Sequence, residues 1–477
     1  MKNKSYFGSS GHGLGVLKVL SILAILSLVF ASTISADSST WESSFQVMNL
    51  GEEETEITMQ YYHEDGTLVD AATHTENVAK GSSVNIYQPA NPDLPDGFKG
   101  AAVVGSHPEP IAAIASEQVT YEDGSIGNSQ YSAFSSADVG TSFYLPNVNR
   151  NFGSGEWSSR ITVQNATEGQ VDIDISFYND DASVEDTDNV TLEGNGSTTL
   201  WQEENEDLDD GWLGSAVLEA SDEVAVIVDV MSADGRLETY NGFGAGATTM
   251  YLPTLLLGYG SNNWNTSFQV LNVGSETTEV MMTYYTSGES TATKTITETL
   301  APYESLNRYQ PVDDSDLGDD WIGSVVVEST EPVVAVGSQS SGAAGTRLAS
   351  IYSGAAAGAD ETVLPTVLRY FGGSNFVTSF QIMNAGSTAA SVTVEFYEPG
   401  DPVPVKTVNY DGENKIDPFT VVNRYQPNDD EDLGEGWQGS VRITSDQPVV
   451  TLGSQHGLDR TGDTVGQYNG FSVPVTE

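Results

Sequence analysis

The sequence predicts an all-β protein: four tandem antiparallel β-sandwich domains following a signal peptide. Three observations lead there. The stretch "WESSFQVMNLG" at Trp41 returns as "WSSRITVQNAT" at Trp157, "WNTSFQVLNVG" at Trp264 and "FVTSFQIMNAG" at Phe376, with spacings of 116, 107 and 112 residues. Within each unit, short runs alternate apolar and polar residues and are broken by Gly, Asn, Asp and Pro, which is the pattern of strands and turns. No segment after residue 37 keeps a helical period. Seven or eight short strands in roughly 110 residues match the dimensions of an Ig-like sandwich, whereas propeller blades repeat every ~40–50 residues.

The N-terminus reads as an export leader. Lys2, Lys4 and Lys18 precede an apolar run from Val19 to Phe30, and small residues follow through Ala36. Cleavage is expected after Ala36, with Ala31 as the second choice. The run holds about 12 apolar residues, short of the roughly 20 that span a bilayer. Nothing later resembles a membrane span, so the mature chain is expected to have no transmembrane segment. The leader takes residues 1–36, and the repeats are expected at 37–142, 143–249, 250–361 and 362–477.

Each repeat then runs through the same landmarks. A strand ending in aromatics ("EITMQYYHEDG", "VDIDISFYNDD", "EVMMTYYTSGE", "SVTVEFYEPGD") precedes "SVNIYQPA", "TTLWQEE", "SLNRYQPV" or "VVNRYQPN". An acidic knot follows, then a "G-[SA]-x-V" strand and a "PIAAIAS", "VAVIVDV", "PVVAVGS" or "PVVTLGS" strand. The repeats close on "QYSAF", "TYNGF", "IYSGA" and "QYNGF". Between repeats lie Leu-Pro segments at Leu145, Leu252 and Leu364, read as edge strands that open the next domain, because Pro is tolerated at edges and strand starts. A fragment from Leu252 to Gly358 is expected to fold by itself.

Charge excludes several partners. The chain carries 17 Lys+Arg against 68 Asp+Glu, a net −51. Removing the leader's three lysines leaves 14 against 68, or −54. Such a surface repels nucleic acid and anionic lipid and suits a salty medium that screens self-repulsion. With no Cys, disulfides, thiol catalysis and zinc–thiolate sites are excluded together.

The knot is the one motif with candidate chemistry. "QPVDDSDLGDDWIGSVVV" at Gln310 recurs as "QPNDDEDLGEGWQGSVRI", "QEENEDLDDGWLGSAVL" and "QPANPDLPDGFKGAAVV". All four share Asp-Leu-x-[Asp/Glu], first at Asp93, Asp207, Asp316 and Asp432, then at Asp96, Asp210, Asp319 and Glu435. A single capped turn uses the same pair. Ca²⁺ needs six to eight oxygens, several from carboxylates on a turn, and the acids beyond the shared pair (Glu204, Glu206, Asp313, Asp314, Asp429, Asp430) add donors. The candidate Ca²⁺ ligands are therefore Asp207, Asp210, Asp313, Asp316, Asp319, Asp429, Asp432 and Glu435. Copy 1, with Pro92 and Pro95 in its turn, lacks them.

No catalytic constellation stands out. His63, His74, His107 and His456 share neither repeat positions nor metal-ligand spacing, and the usual nucleophile and phosphate-loop motifs are absent. Ser338 and Ser454 are equivalent, but only Ser454 has a histidine nearby. All seven Trp fall at repeat-equivalent places and are expected in cores rather than at sugar sites.

The series Trp-x-x-Ser-Phe-x-Val-x-Asn, Tyr-Gln-Pro, Trp-x-Gly-Ser and Tyr-x-Gly-Phe, spread over residues 41 to 471, resembles repeats of uncharacterised secreted prokaryotic proteins. More broadly it is similar to tandem Ig-like modules of surface stalks and adhesins. The resemblance implies a secreted or cell-surface protein, non-enzymatic, structural or adhesive. The alternative is an accessory protein that binds carbohydrate or another polymer. Copy 1 lacks a Leu-Pro strand, while "SVPVTE" extends beyond copy 4. That pairing suggests a homo-oligomer, a head-to-tail filament in which Ser472 to Glu477 completes the first domain of the next molecule.

Overall fold

In this computed structural model the described residues are 39–343 and 345–473, together with the backbone of 24–28. The expected cleavage sites lie outside them, as do Pro474 to Glu477. Every copy repeats one strand order. An opening strand (Gly140–Arg150, Ala247–Leu257 or Ala359–Arg369) starts three residues before each expected boundary. The second strand (Thr40–Asn49, Ser158–Asn165, Trp264–Asn272, Phe376–Asn384) carries the repeated [Phe/Ile]-x-[Val/Ile]-x-Asn pattern. The third (Thr55–His63, Val171–Tyr178, Thr278–Thr286, Val392–Tyr397) is the aromatic-ended strand. A fourth and a fifth follow, then the knot, a long strand, and a closing strand at Ile126–Ser132, Leu237–Asn241, Ala349–Ser353 and Val465–Asn469.

The long strand is what departs from an ordinary sandwich. In copies 2, 3 and 4 it runs unbroken over Trp212–Met231, Trp321–Ser341 and Trp437–Gly457. Its first half pairs with the opening and third strands, its second half with the second and closing strands. Two sheets are thereby joined into one curled sheet of seven or eight strands. Only copy 1 has the expected pair of separate four-stranded sheets, because its long strand is cut into Gly100–His107 and Ile111–Thr120. Pro108 and Pro110 there remove two backbone donors within three residues, whereas the single Pro332 or Pro448 does not stop the ladder.

Two repeated residues have plain structural causes. Asn49, Asn165, Asn272 and Asn384 are fully buried at the end of the second strand. Asn272 Nδ2 donates to the Glu276 and Leu300 carbonyls while its Oδ1 accepts from Gly274 N–H, and the others repeat this staple. The glycine of Trp-x-Gly lets the long strand pass close to the third. A Cβ at Gly323 would lie 2.2 Å from the Tyr285 carbonyl and 2.4 Å from the Trp321 ring.

The copies do not hang as beads. Their closing strands touch in a cycle, copy 1 to 2, 2 to 3, 3 to 4, and 4 back to 1. Ile114, Ile227, Val336 and Leu452, equivalent residues of the four long strands, are all buried. Ile114 of copy 1 joins the core of copy 4, Leu452 of copy 4 joins that of copy 3, and Val336 of copy 3 joins that of copies 1 and 2. The result is a closed ring about a pseudo-fourfold axis.

Two further described segments, Ala24–Leu28 and Phe471–Val473, pair inside this ring. Ala24–Leu28 pairs with Gly100–His107 where the other copies place their opening strand. Phe471 and Ser472 pair with Val363 and Thr362 of their own copy, and Val473 N–H donates to the Glu361 carbonyl. The place of the missing strand in copy 1 is thus taken by Ala24–Leu28 of the same molecule, while most of the extension beyond copy 4 lies outside the described residues.

Candidate functional site at the axis and seams

The acidic knots come first, since sequence singled them out. In copy 3 the turn buries Asp314, not the acids of the shared pair. Its carboxylate accepts from Arg308 Nη2 at 2.7 Å, Lys294 Nζ at 2.9 Å and the Tyr284 hydroxyl at 2.9 Å. Asp316 caps the other side of Lys294 at 2.5 Å, and Asp313 accepts from Tyr309 N–H. Copy 4 repeats the set with Asp430, Arg424, Lys406, Asp432 and Asp429. In copy 2, Asp210 pairs with Arg150 and Asn151. Asp207, Asp319 and Glu435 face solvent. In copies 3 and 4 lysine and arginine of the same copy thus pair with these carboxylates, and among the described residues no three acids or histidines group to hold a metal. Adding Ca²⁺ in high monovalent salt is accordingly expected to leave the melting temperature of the full chain unchanged. A rise that Asp316→Asn removes would restore the metal reading.

The axis brings together residues that sequence did not. Ser132, Asn241, Ser353 and Asn469, one from each closing strand, form a closed cycle of hydrogen bonds. Asn241 Nδ2 donates to the Ser132 carbonyl at 2.7 Å, Ser353 Oγ to Asn241 O at 3.3 Å, Asn469 Nδ2 to Ser353 O at 2.7 Å, and Ser132 Oγ to Asn469 O at 3.1 Å. They line a bowl of about 750 Å³ with Phe134, Phe243 and Phe471 at its wall. The seams away from the bowl are polar as well: Gln130 donates to Gln455, and Gln467 to Gln339.

Asp463 joins all four copies. It belongs to copy 4, and its backbone N–H donates to Ile126 of copy 1. Its fully buried carboxylate accepts from Leu237 N–H of copy 2 and Ala349 N–H of copy 3 at 3.0 and 3.1 Å, and from Val465 N–H of its own copy. Burial pushes its pKa well above the usual carboxylate range, against the pull of those three donors.

Glu238, near it on the closing strand of copy 2, accepts from Ser338 Oγ of copy 3 at 2.8 Å. Burial raises its pKa from 4.5 to about 8. The folded state then keeps a proton that the unfolded chain releases, so this group's contribution is fully present below pH 4.5 and declines as pH rises toward 8. Asp316 and Asp432, held low by Lys294 and Lys406, work the other way and matter only below their ordinary range near 3.8. Unfolding free energy in high salt is expected to fall between about pH 5 and pH 8, as read by urea titration. Glu238→Gln should reduce that slope without abolishing it, because the buried Asp463 carboxyl, also held above the usual range, loses stability in the same direction; an unchanged slope would remove Glu238 as a source.

Copy 2 breaks the symmetry in its side chains. Arg160 stands where copies 1, 3 and 4 have Ser44, Ser267 and Ser379, and Asp229 stands where they have Ser116, Ser338 and Ser454. Arg160 Nη2 bonds Asp229 Oδ2 at 2.9 Å, and Asp229 also accepts from Thr239. The guanidinium lies 4.3 Å from the Trp41 ring centre and 4.9 Å from that of Trp201, beside a cleft of about 840 Å³ between copies 1 and 2. Trp41, Trp212, Trp321 and Trp437 are buried as expected, but Trp157, Trp201 and Trp264 are half-buried.

The fold and seams define a class: a single-chain, all-β protein of four repeats. No family model and no curated relative matches the sequence. Among solved structures, Thermotoga maritima 1070 is 20% identical over 23% of this chain and 94% of its own, with a TM-score of 0.19. The Anabaena sensory rhodopsin transducer is 17% identical over 19% and 92%, TM-score 0.16. A tetra-tandem repeat from the extending region of a large adhesion protein is 11% identical over 95% and 100%, TM-score 0.11. Likenesses of this size decide nothing about function.

Proposed function

We propose that this is a secreted, non-enzymatic protein of the cell surface, structural or adhesive, whose four modules build one ring-shaped head. The observation that supports a head over a length-setting stalk is the seam between the first and last copies, where Ser132 bonds Asn469. A stalk would keep those copies apart. The extreme negative charge supports an extracellular, salty setting. Fractionating producing cells tests the reading: the protein should appear in the medium or on the cell exterior, and labelled purified protein should bind intact cells or their matrix. Recovery only from the cytoplasm would overturn it.

A second reading, a carbohydrate- or polymer-binding accessory, draws on one observation. Trp201, half-buried beside Arg160, Glu203 and Glu204, lines the cleft between copies 1 and 2, and aromatic faces beside polar groups suit sugar rings. Glycan binding lost on Trp201→Ala, with thermal stability kept, would favour it.

A further inference from the structure

The structure fills a slot in copy 1 with a segment that the export reading would discard. In register, Ala24 lies opposite Val104, Leu26 opposite Ala102 and Leu28 opposite Gly100. In copies 2, 3 and 4 the corresponding pairs are Leu145 with Ala216, Leu252 with Val325 and Leu364 with Val441. Ala102, Ala216, Val325 and Val441 each stand four residues past the aromatic that follows the knot: Phe98, Trp212, Trp321 and Trp437. Leu26 therefore falls on the register of the three Leu-Pro leucines, all of which are fully buried. The edge opposite it is prepared for such a strand. Ala102 and Val104, with Tyr61 and Met59 paired beside them on the third strand, are buried in the core of copy 1.

A chain cleaved after Ala36 keeps only "DSST" before Trp41, too few residues to reach back along that edge and turn into the second strand. We propose that copy 1 of the leader-free chain is a strand acceptor: the edge Gly100–His107 takes up an extended apolar segment of another polypeptide. The incoming strand runs antiparallel and sets a leucine-sized side chain opposite Ala102. Its main-chain bonds supply affinity and its alternate side chains supply specificity, and an open edge is otherwise a site of uncontrolled association. Phe471 and Ser472 pair with Val363 and Thr362 of their own copy, so those two residues do not serve as the donor. The setting rests on the export reading; the slot itself does not.

The test uses residues 37–477 and a peptide with the sequence of Thr141–Arg150, which can place Leu145 opposite Ala102. The peptide should bind one-to-one by calorimetry and raise the melting temperature, and a Leu145→Asp peptide should bind roughly tenfold weaker or worse. Full-length chain, its slot filled, should not bind. If residues 37–477 do not fold, replacing Ala24–Leu28 by a Gly/Ser run in the full chain opens the slot, and the same peptide must bind that variant and not the parent. Absence of one-to-one binding to either protein, or equal binding of the Asp peptide, overturns the proposal. An exported protein that retains Met1 by mass spectrometry would instead contradict the cleavage expectation, a separate readout.

Discussion

Asp463→Ala is expected to destabilise the ring by about 3–6 kcal/mol, read by urea titration of the full chain. The substitution removes one acceptor that serves three backbone N–H groups, and each buried donor left unsatisfied costs about 1–3 kcal/mol. Those donors belong to copies 2, 3 and 4, so the loss is felt across the axis rather than in one module. Asp463→Asn should cost less. Burial already favours the uncharged carboxyl, and the amide keeps one acceptor in nearly the same place. Equal stability of the Ala variant and the parent would show that the axis is not held by this residue.

Asp314→Ala should be the second large loss, about 3–5 kcal/mol, because removing one member of a buried ion cluster strands its partners. Arg308, Lys294 and the Tyr284 hydroxyl all converge on that carboxylate, which has no exposed surface. Asp430→Ala should behave alike in copy 4. Asp316→Ala is the control. Its side chain is 68% exposed, and an exposed pair with Lys294 is worth at most about 1 kcal/mol. Similar costs for Asp314 and Asp316 would mean that burial is not what gives the cluster its weight.

The repeat order, the strands and the role of the Leu-Pro segments as opening strands were legible because period-2 patterning and turn residues act locally, but in copy 4 that strand is no edge, being flanked by Trp437–Gly457 and Phe471–Ser472. The curled sheet was not. Whether "SDEVAV" or "STEPVV" breaks a strand depends on what lies alongside, and only the double proline of copy 1 does so. The ring had a signal that went unread. "PIAAI", "VAVIV", "PVVAV" and "PVVTL" are nearly continuous apolar runs, and a strand that is apolar on both faces is buried on both. One face fills its own copy; the other fills the axis. The knot also carried its answer internally. Arg308 and Arg424 occur only in the two copies with an Asp pair early in the knot (Asp313-Asp314 and Asp429-Asp430), at the position where copies 1 and 2 have Ile86 and Leu200. An arginine that appears together with an extra acid is a buried pair more readily than a metal ligand. Asp463 and Glu238 left no such trace, since the partners that come from other copies lie a hundred or more residues away.

Closure of the four repeats into one ring is tested most directly by small-angle X-ray scattering on the monodisperse full chain. A closed ring should behave as one compact body, with a radius of gyration of about 22–25 Å for a chain of this length. Four modules of about 40 Å strung end to end would instead give roughly 45 Å. A value near the smaller figure, unchanged across salt concentrations, is the predicted result; a value near the larger would contradict the ring and return the protein to beads on a string.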